Sequence, residues 1–333
     1  MLEWTGERFI PSVDVSVSGV EIHYEHLHRY AFASNFVKDK IVLDLASGEG
    51  YGSYFLSHFA KSVTGIDIDD ESIRHSQKTY RKLNVEYKSG SICDVPIPGE
   101  KIFDVIICFE AIEHVSDHDK LLSEILRLLK TDGILILSTP NKKIYSDVPN
   151  YSNPFHVKEL YMEDLQKLME KNFSFVSFFG QRTISGSSIF PLVYENGSPS
   201  LEFTIHKGST GFEIDTEKTI LPVYFVIIAS NKKTGEIGRK KSYLIDPSDT
   251  RFSLLHSQIN NICKALSEKD AAETALRSQI VTLNQNISER DTVVAEKTRL
   301  SQDLESKAAV LTHQVVDLES EITALTHQIA EKD

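Results

Sequence analysis

Val42-Leu-Asp44-Leu-Ala46-Ser-Gly48-Glu-Gly50-Tyr-Gly52 is the stretch that decides the fold of this chain. An apolar strand runs into a glycine-rich turn, and a helix follows. Glycines at such a turn let the backbone approach a ligand closely at a helix N-terminus. The next apolar run ends in Asp67, 23 residues after Asp44. A carboxylate there can accept hydrogen bonds from both hydroxyls of a ribose.

Outward from this turn, short apolar runs alternate with helical stretches. The strand-like runs are IVLDLA (41–46), SVTGID (62–67), VEYKSG (85–90), FDVIICF (103–109), GILILST (133–139), FSFVSFFG (173–180) and PVYFVIIAS (222–230). Helical patterns between them include Asp117–Leu129 and Lys158–Lys171. This alternation predicts an α/β fold: a Rossmann-like, seven-stranded, mostly parallel sheet with helices on both faces. Segment 181–221 holds Gly, Ser and Pro instead of a long helix, which predicts an antiparallel finish plus an insertion. The expected divisions are a lid segment at 1–40, the ligand-binding domain at 41–230, a linker at 231–250 and a coiled coil at 251–333.

That last region carries one unbroken heptad pattern. Ile259, Ile280, Ile287 and Val315 fall at a positions, and Leu255, Leu283, Leu304 and Leu318 at d positions. The register holds over about eleven heptads with neither Pro nor Gly after Pro247, a strong coiled-coil signal. At 1.5 Å per residue the helix reaches about 110 Å. Ile/Val at a with Leu at d favours a parallel dimer formed through residues 255–329. Polar layers at Lys269/Glu273 and Arg290/Lys297/Ser301 weaken the seam locally or fix its register. The alternative is a long amphipathic helix packed back on the first domain. His313 and His327 recur at f positions, away from the seam, and read as solvated faces.

Composition narrows the function classes. The 333 residues are 41% hydrophobic and 25% charged, with a net charge of −12. The longest basic run is Arg239-Lys240-Lys241, so binding of nucleic acid by phosphate neutralisation is not expected. Cys93, Cys108 and Cys263 form no CxxC pair, which argues against a zinc site or a disulfide scaffold. Cys108 sits in an apolar run and reads as core. No signal-peptide pattern opens the chain, and no run of 18 apolar residues appears, so no membrane span is expected and the cytoplasm is the expected location. No metal-ligand cluster is visible.

Two cofactors compete for the glycine-rich turn. A nicotinamide dinucleotide would set a pyrophosphate on the helix N-terminus, where Asp44 and Glu49 would repel it. S-adenosylmethionine carries a sulfonium and an ammonium and no phosphate, so acid in the turn is tolerable. The Gly48-x-Gly50-x-x-Ser53 spacing also lacks a Gly or Ala at the third fingerprint position. The residues favour S-adenosylmethionine.

At this point the chain, over about residues 24–230, resembles the class I S-adenosylmethionine-dependent methyltransferases. Asp44-x-Ala46-x-Gly48-x-Gly50 is similar to their D-x-G-x-G-x-G loop, with Ala46 in place of the first Gly. That is a mild departure provided the backbone there keeps a negative φ. The resemblance makes Asp67 the ribose acid, with Ile68 beside it. Ser91 stands where the family often has an adenine-binding Asp, Ile92 would pack on the ring, and Asp94 is a nearby alternative. Phe109 and Glu110 should line the methionine end. Glu113-His114 and Ser138-Thr-Pro140-Asn141 are similar to the subgroup that methylates small-molecule oxygens, including ubiquinone-type and sugar methyltransferases.

Methylation of a hydroxyl needs a base, and His serves near neutral pH. His114, at the mouth of the fourth strand, and His156, after the fifth, are the candidates. Each also has a structural reading: His114 capping or packing beneath the following helix, His156 capping the helix near Lys158. In Tyr24-Glu-His26-Leu-His28-Arg29-Tyr30, Arg29 could pair with the methionine carboxylate and Tyr24 or His28 could close the pocket. The alternative is a helix whose aromatics pack on the sheet and whose Arg faces water. Trp4-Thr-Gly-Glu-Arg8-Phe would belong to the same lid.

The expected function is S-adenosylmethionine-dependent O-methylation. By resemblance of the TGERF and YEHLHRY stretches to methyltransferases of surface-polysaccharide biosynthesis, the acceptor is a sugar hydroxyl of a glycan, with glycosyltransferases as possible partners. A quinone or other small phenol is the second acceptor class. The contrasting reading is a scaffold with an inactive domain, working through its coiled coil.

Overall fold

The computed structural model describes residues 9–11, 20–184, 204–208, 211–215, 220–233, 241–246 and 250–330. The Trp4–Arg8 motif and most of the 181–221 insertion lie outside them. Helix α1 (Val20–Ala33) precedes β1 (Ile41–Leu45), α2 (Tyr51–Leu56), β2 (Ser62–Asp67), α3 (Asp70–Thr79), β3 (Val85–Ser89) and β4 (Phe103–Phe109). Then come α4 (His118–Leu128), β5 (Leu129–Pro140), α5 (Met162–Asn172), β6 (Phe175–Gln181), β7 (Thr204–Gly208), β8 (Gly211–Asp215), β9 (Tyr224–Ser230) and α6 (Thr250–Ala330).

Seven strands form one sheet in the order β3-β2-β1-β4-β5-β9-β6. The first five are mutually parallel. Strand β9 slots between β5 and β6 and runs antiparallel to both. The expected antiparallel finish is thus confined to one strand, because the chain leaves β6, forms the β7–β8 hairpin and returns.

Alternation along each strand sorts the core into two layers. Leu43, Leu45, Ile106, Cys108, Leu135 and Leu137 meet Leu121, Leu122 and Ile125 of α4 and Leu165 and Met169 of α5. Val42, Val105, Ile107, Ile134 and Ile136 meet Tyr30 and Ala33 of α1 and Leu56 of α2. Burial on both faces is why β1 and β4 read as continuous apolar runs, whereas the edge strand β3 carries Glu86 and Lys88 exposed. Cys108 is fully buried, as expected of a core residue, and burial pushes its thiol up.

The chain begins at β1, steps outward to β3 and returns to β4 on the other side of β1. The order therefore reverses between β1 and β4. In open α/β sheets ligands bind at such a reversal, outside the carboxyl ends of the strands.

Residues 1–250 and 251–333 form two compact units. The described residues of the second belong to one helix, α6, which is 81 residues long and begins at Thr250. Its a and d positions are exposed, with Leu283 at 58% and Leu304 at 59%. Among the described residues no helix is long and apolar enough to cross a membrane.

Candidate active site

Three residues of the turn after β1 take left-handed backbone: Ala46 (φ 58°), Gly48 (φ 56°) and Gly50 (φ 95°). The corner is tied down by Ser47 N donating to Ile66 O (2.9 Å) and Gly50 N to Ser47 O (3.1 Å). A Cβ on Gly48 would meet nothing within 4 Å, so this stretch of backbone faces open space. A Cβ on Gly50 would strike Ser76, and one on Gly52 the ring of Tyr30, so those two glycines serve packing. The condition for a mild Gly-to-Ala departure at position 46 is not met. With φ positive, the alanine Cβ crowds its own carbonyl, at a cost of about 1–2 kcal/mol.

Asp44 is fully buried beneath the turn. Its carboxylate accepts from Ser53 Oγ (2.6 Å) and from Tyr30 Oη (3.3 Å), tying α1 and α2 to β1. Burial pushes its pKa up to about 7. Glu49 is also buried, and turns toward α3, accepting from Tyr80 Oη (3.0 Å) beside His75 Nε2 (3.4 Å).

At the tip of β2, Asp67 accepts from Gly48 N (2.8 Å) and Asp69 N (2.9 Å). It stands beside the open face of the turn, where the ribose acid is expected. Ile68 is 76% exposed, an apolar surface next to that carboxylate. Ser91 Oγ accepts from Cys93 N (3.2 Å), and Ile92 is half-buried against the core.

Across the reversal, β4 ends in Phe109, edge-on to Tyr30 (ring centroids 5.2 Å apart). Glu110 follows with φ 46°, held by Ser138, whose Oγ donates to Glu110 Oε1 (2.6 Å). Arg29 of α1 lies over this corner. Its side chain is 1% exposed, with Nη2 3.5 Å from Glu110 Oε1. Nε donates to Gln181 Oε1 (2.7 Å), and the guanidinium stacks 4.5 Å from the Tyr224 ring centre. Arg29 Nη1 and Nη2 are buried without a hydrogen-bond partner. Burial also pushes the neighbouring Glu25 up to about 7, against the pull of Arg29. The rest of α1 turns to the expected linker, and not to the pocket that Tyr24 or His28 was expected to close: Tyr24 Oη donates to Asp246 (2.6 Å), and His28 Nε2 lies 2.9 Å from Ser242 Oγ.

These residues fit S-adenosylmethionine. The unpartnered guanidinium nitrogens suit the methionine carboxylate, and Glu110 suits its ammonium. The open backbone at Gly48 leaves room for the sulfonium end, and Asp67 with Ile68 suits the nucleoside.

Beyond Glu110, a short 3-10 turn (Ile112–His114) meets the loop after β5. The Glu113 carbonyl accepts from Val157 N (2.8 Å) and Lys158 N (2.9 Å), which draws that loop inward. His114 and His156 thereby pack edge to face, with centroids 5.1 Å apart. His114 Nδ1 lies 3.0 Å from the Phe155 carbonyl. A carbonyl only accepts, so Nδ1 carries a proton, and in the neutral ring Nε2 has the lone pair. His156 Nδ1 sits 2.6 Å from Glu159 Oε1, Asn153 Nδ2 lies 3.0 Å from Nε2, and Tyr145 stacks on the ring. Neither imidazole caps a helix: α4 is capped by Asp117, and α5 begins at Met162. Glu113 is fully buried, accepts from Thr139 Oγ1 (2.9 Å), and is raised by burial and by the Glu110 charge. Glu159, Asn153 and Gln181 are the partners that sequence reasoning missed. The three-residue spacing of Asn153, His156 and Glu159 was the available signal.

Residues 43–137 match the family described as "Methyltransferase domain". A protein of Mycolicibacterium smegmatis named "Probable S-adenosylmethionine-dependent methyltransferase" is 33% identical over 176 residues, covering 51% of this chain and 64% of that protein. A ubiquinone biosynthesis O-methyltransferase of Pelagibacter ubique is 35% identical over 116 residues, covering 34% of this chain and 47% of that protein. A crystal structure of a SAM-dependent methyltransferase from Archaeoglobus fulgidus is similar over 62% of this chain and 92% of that chain, at 17% identity and a TM-score of 0.43. The chain thus spans less than two thirds of the length of these curated relatives. Within it, residues 43–137 carry the methyltransferase-domain match, on the Rossmann-like sheet expected of a class I, S-adenosylmethionine-dependent enzyme.

Proposed function

We propose that this protein transfers the methyl group of S-adenosylmethionine to a hydroxyl oxygen of a small acceptor. The observation that carries this reading is the imidazole pair at the carboxyl end of the sheet, next to the turn that fits the cofactor. The cofactor supplies an electrophilic methyl, and the chain supplies position and a proton acceptor. His114 Nε2 takes the hydroxyl proton, because its Nδ1 is committed to the Phe155 carbonyl. His156, held by Glu159, packs against His114 and fixes its plane.

The acceptor class that the surroundings favour is phenolic. A cleft of about 370 Å3 opens beside the end of β5, walled by Met162, Phe178, Phe179 and Phe225, with Asn141, Lys143 and Glu163 also lining it. Asn141 also accepts from Tyr145 N, the residue stacked on His156. Flat apolar walls suit an aromatic ring, and relatives such as that of Pelagibacter ubique carry a ubiquinone-biosynthesis name. The expectation of a sugar hydroxyl rests partly on the TGERF stretch, most of which lies outside the described residues.

Calorimetric titration with S-adenosylmethionine, followed by mass spectrometry of phenolic and glycan acceptors after incubation with labelled cofactor, tests the proposal. Asp67→Ala should weaken cofactor binding by about 1–3 kcal/mol. His114→Ala should lower turnover by about 10²–10⁴-fold while leaving cofactor affinity intact. Absence of cofactor binding would leave only the inactive-scaffold reading.

A second copy of the chain is the proposed partner of α6. Its exposed a and d residues carry the Ile/Val–Leu pattern of a parallel dimer.

A further inference from the structure

We propose that Glu113, His114 and His156 form a binding site for one divalent transition-metal cation. Each offers a ligand atom, and these atoms lie within 4.8 Å of one another. Glu113 and His114 are consecutive, His156 comes from the loop after β5, and the contact of the Glu113 carbonyl with Val157 and Lys158 brings that loop to them. Two imidazoles and one carboxylate suit zinc, cobalt or ferrous iron, and three protein ligands leave positions open for an exogenous oxygen.

Two further features belong to a metal site rather than to a loop clasp. The first is the support behind each imidazole. His156 Nδ1 is held at 2.6 Å by Glu159 Oε1, and Glu159 in turn accepts from Ser146 Oγ (2.6 Å). His114 Nδ1 is held at 3.0 Å by the Phe155 carbonyl. A carboxylate or carbonyl on one ring nitrogen orients the other toward a cation. The second is Glu113 Oε1, which is buried without a hydrogen-bond partner while Oε2 is satisfied by Thr139. A buried carboxylate oxygen left this way is costly, and a cation satisfies it. The plain alternative is that the three side chains only fasten the 153–158 loop to the 112–114 turn. Asn153 Nδ2, 3.0 Å from His156 Nε2, is the donor that a cation would displace.

The inference goes beyond the methyl-transfer reading and does not rest on it. A cation on both imidazoles would occupy the His114 lone pair, and an acceptor hydroxyl would then be activated by coordination instead of by that base.

The test uses the full-length protein, stripped with a chelator and titrated with Co2+ as the probe. The visible d–d bands and calorimetry report on the cation, and S-adenosylmethionine affinity is measured in parallel. One equivalent of Co2+ with bands of a four- or five-coordinate N,O site is expected. Glu113→Gln and His114→Ala should abolish the bands, and Glu159→Gln should weaken Co2+ binding about 10–100-fold, with cofactor affinity unchanged in all three. Should a histidine variant fail to fold, the near-isosteric Glu113→Gln and Glu159→Gln variants decide. No bands and no heat would overturn the proposal. So would binding that Glu113→Gln leaves intact, since the cation would then sit elsewhere. Cation binding without methyl transfer would instead count against the proposed function alone.

Discussion

Arg29 is the most exposing place to test how this site reads its cofactor. Its guanidinium is 1% exposed, it bonds Gln181 through Nε, and its Nη1 and Nη2 have no hydrogen-bond partner. A ligand carboxylate placed there would gain charge-assisted hydrogen bonds out of reach of solvent screening, worth about 1.5–3 kcal/mol. At about 1.4 kcal/mol per factor of ten, that is about 10–150-fold in affinity. The same range should separate S-adenosylmethionine from its decarboxylated analogue in the native protein. Arg29→Met keeps the length of the stem over Tyr224 and removes the fork, and it leaves Glu110 to repel a carboxylate. The variant should therefore bind the two ligands with a ratio near one, chiefly by losing affinity for S-adenosylmethionine. Calorimetry of both ligands on both proteins gives the four numbers of a double-difference cycle. A ratio that stays at its native value in Arg29→Met would show that Arg29 never meets the carboxylate and that α1 contributes packing alone.

Ala46→Gly should stabilise the protein by about 0.5–1 kcal/mol, since the relief of a left-handed alanine exceeds the added freedom of the unfolded chain; an unchanged urea midpoint would contradict the φ of 58°. Asp44 is raised by burial from 3.8 to about 7, so folding takes up a proton in that window, and its favourable contribution is present at low pH and lost as pH rises through about 7. Asp44→Asn should match the native protein near pH 4 and exceed it by up to about 4 kcal/mol at pH 8, and a difference that does not grow with pH would sink this. Deletion after Thr250 should leave a monomer with unchanged cofactor affinity in sedimentation and calorimetry, and an oligomer that persists would remove α6 as the dimer seam.

The fold was legible because each buried strand is a separate apolar run and each face has its own period. What the runs could not show was their order in space. Nothing in PVYFVIIAS says that β9 inserts between β5 and β6, since that depends on pairing between distant segments. The placement of Gly48, Asp67 and Ile68 was legible for the same local reason: they sit at strand ends, where the fold class puts ligands. The acceptor side was not. Glu113 and His114 meet His156 only because a backbone carbonyl accepts two amides from a loop that has no periodicity to read. Ala46 misled because backbone sign is invisible in a residue type that rarely takes positive φ. Nor can a single sequence show that Arg29 is buried, because its partners Gln181 and Tyr224 come from the far end of the domain.

The charges that would favour a sulfonium cofactor are not the two acids of the glycine-rich turn. From sequence, Asp44 and Glu49 look like two charges at the mouth of the glycine-rich turn, enough to repel a diphosphate. In the fold neither faces that mouth. Asp44 lies beneath it with its charge suppressed by burial, and Glu49 is turned toward Tyr80 and His75. Among the described residues, Asp67 and Glu110 stand one at each side of the strand-order reversal, with Arg29 of α1 beside Glu110. Two carboxylates and one guanidinium there complement a ligand that has two cationic groups, one carboxylate and a ribose. A pyrophosphate carries more negative charge than a carboxylate, and it would meet Glu110 3.5 Å from the Arg29 guanidinium. If Asp67, Glu110 and Arg29 set the choice of ligand, removing Arg29 should change which ligand is held, whereas changing Asp44 should alter only how firmly the domain is folded.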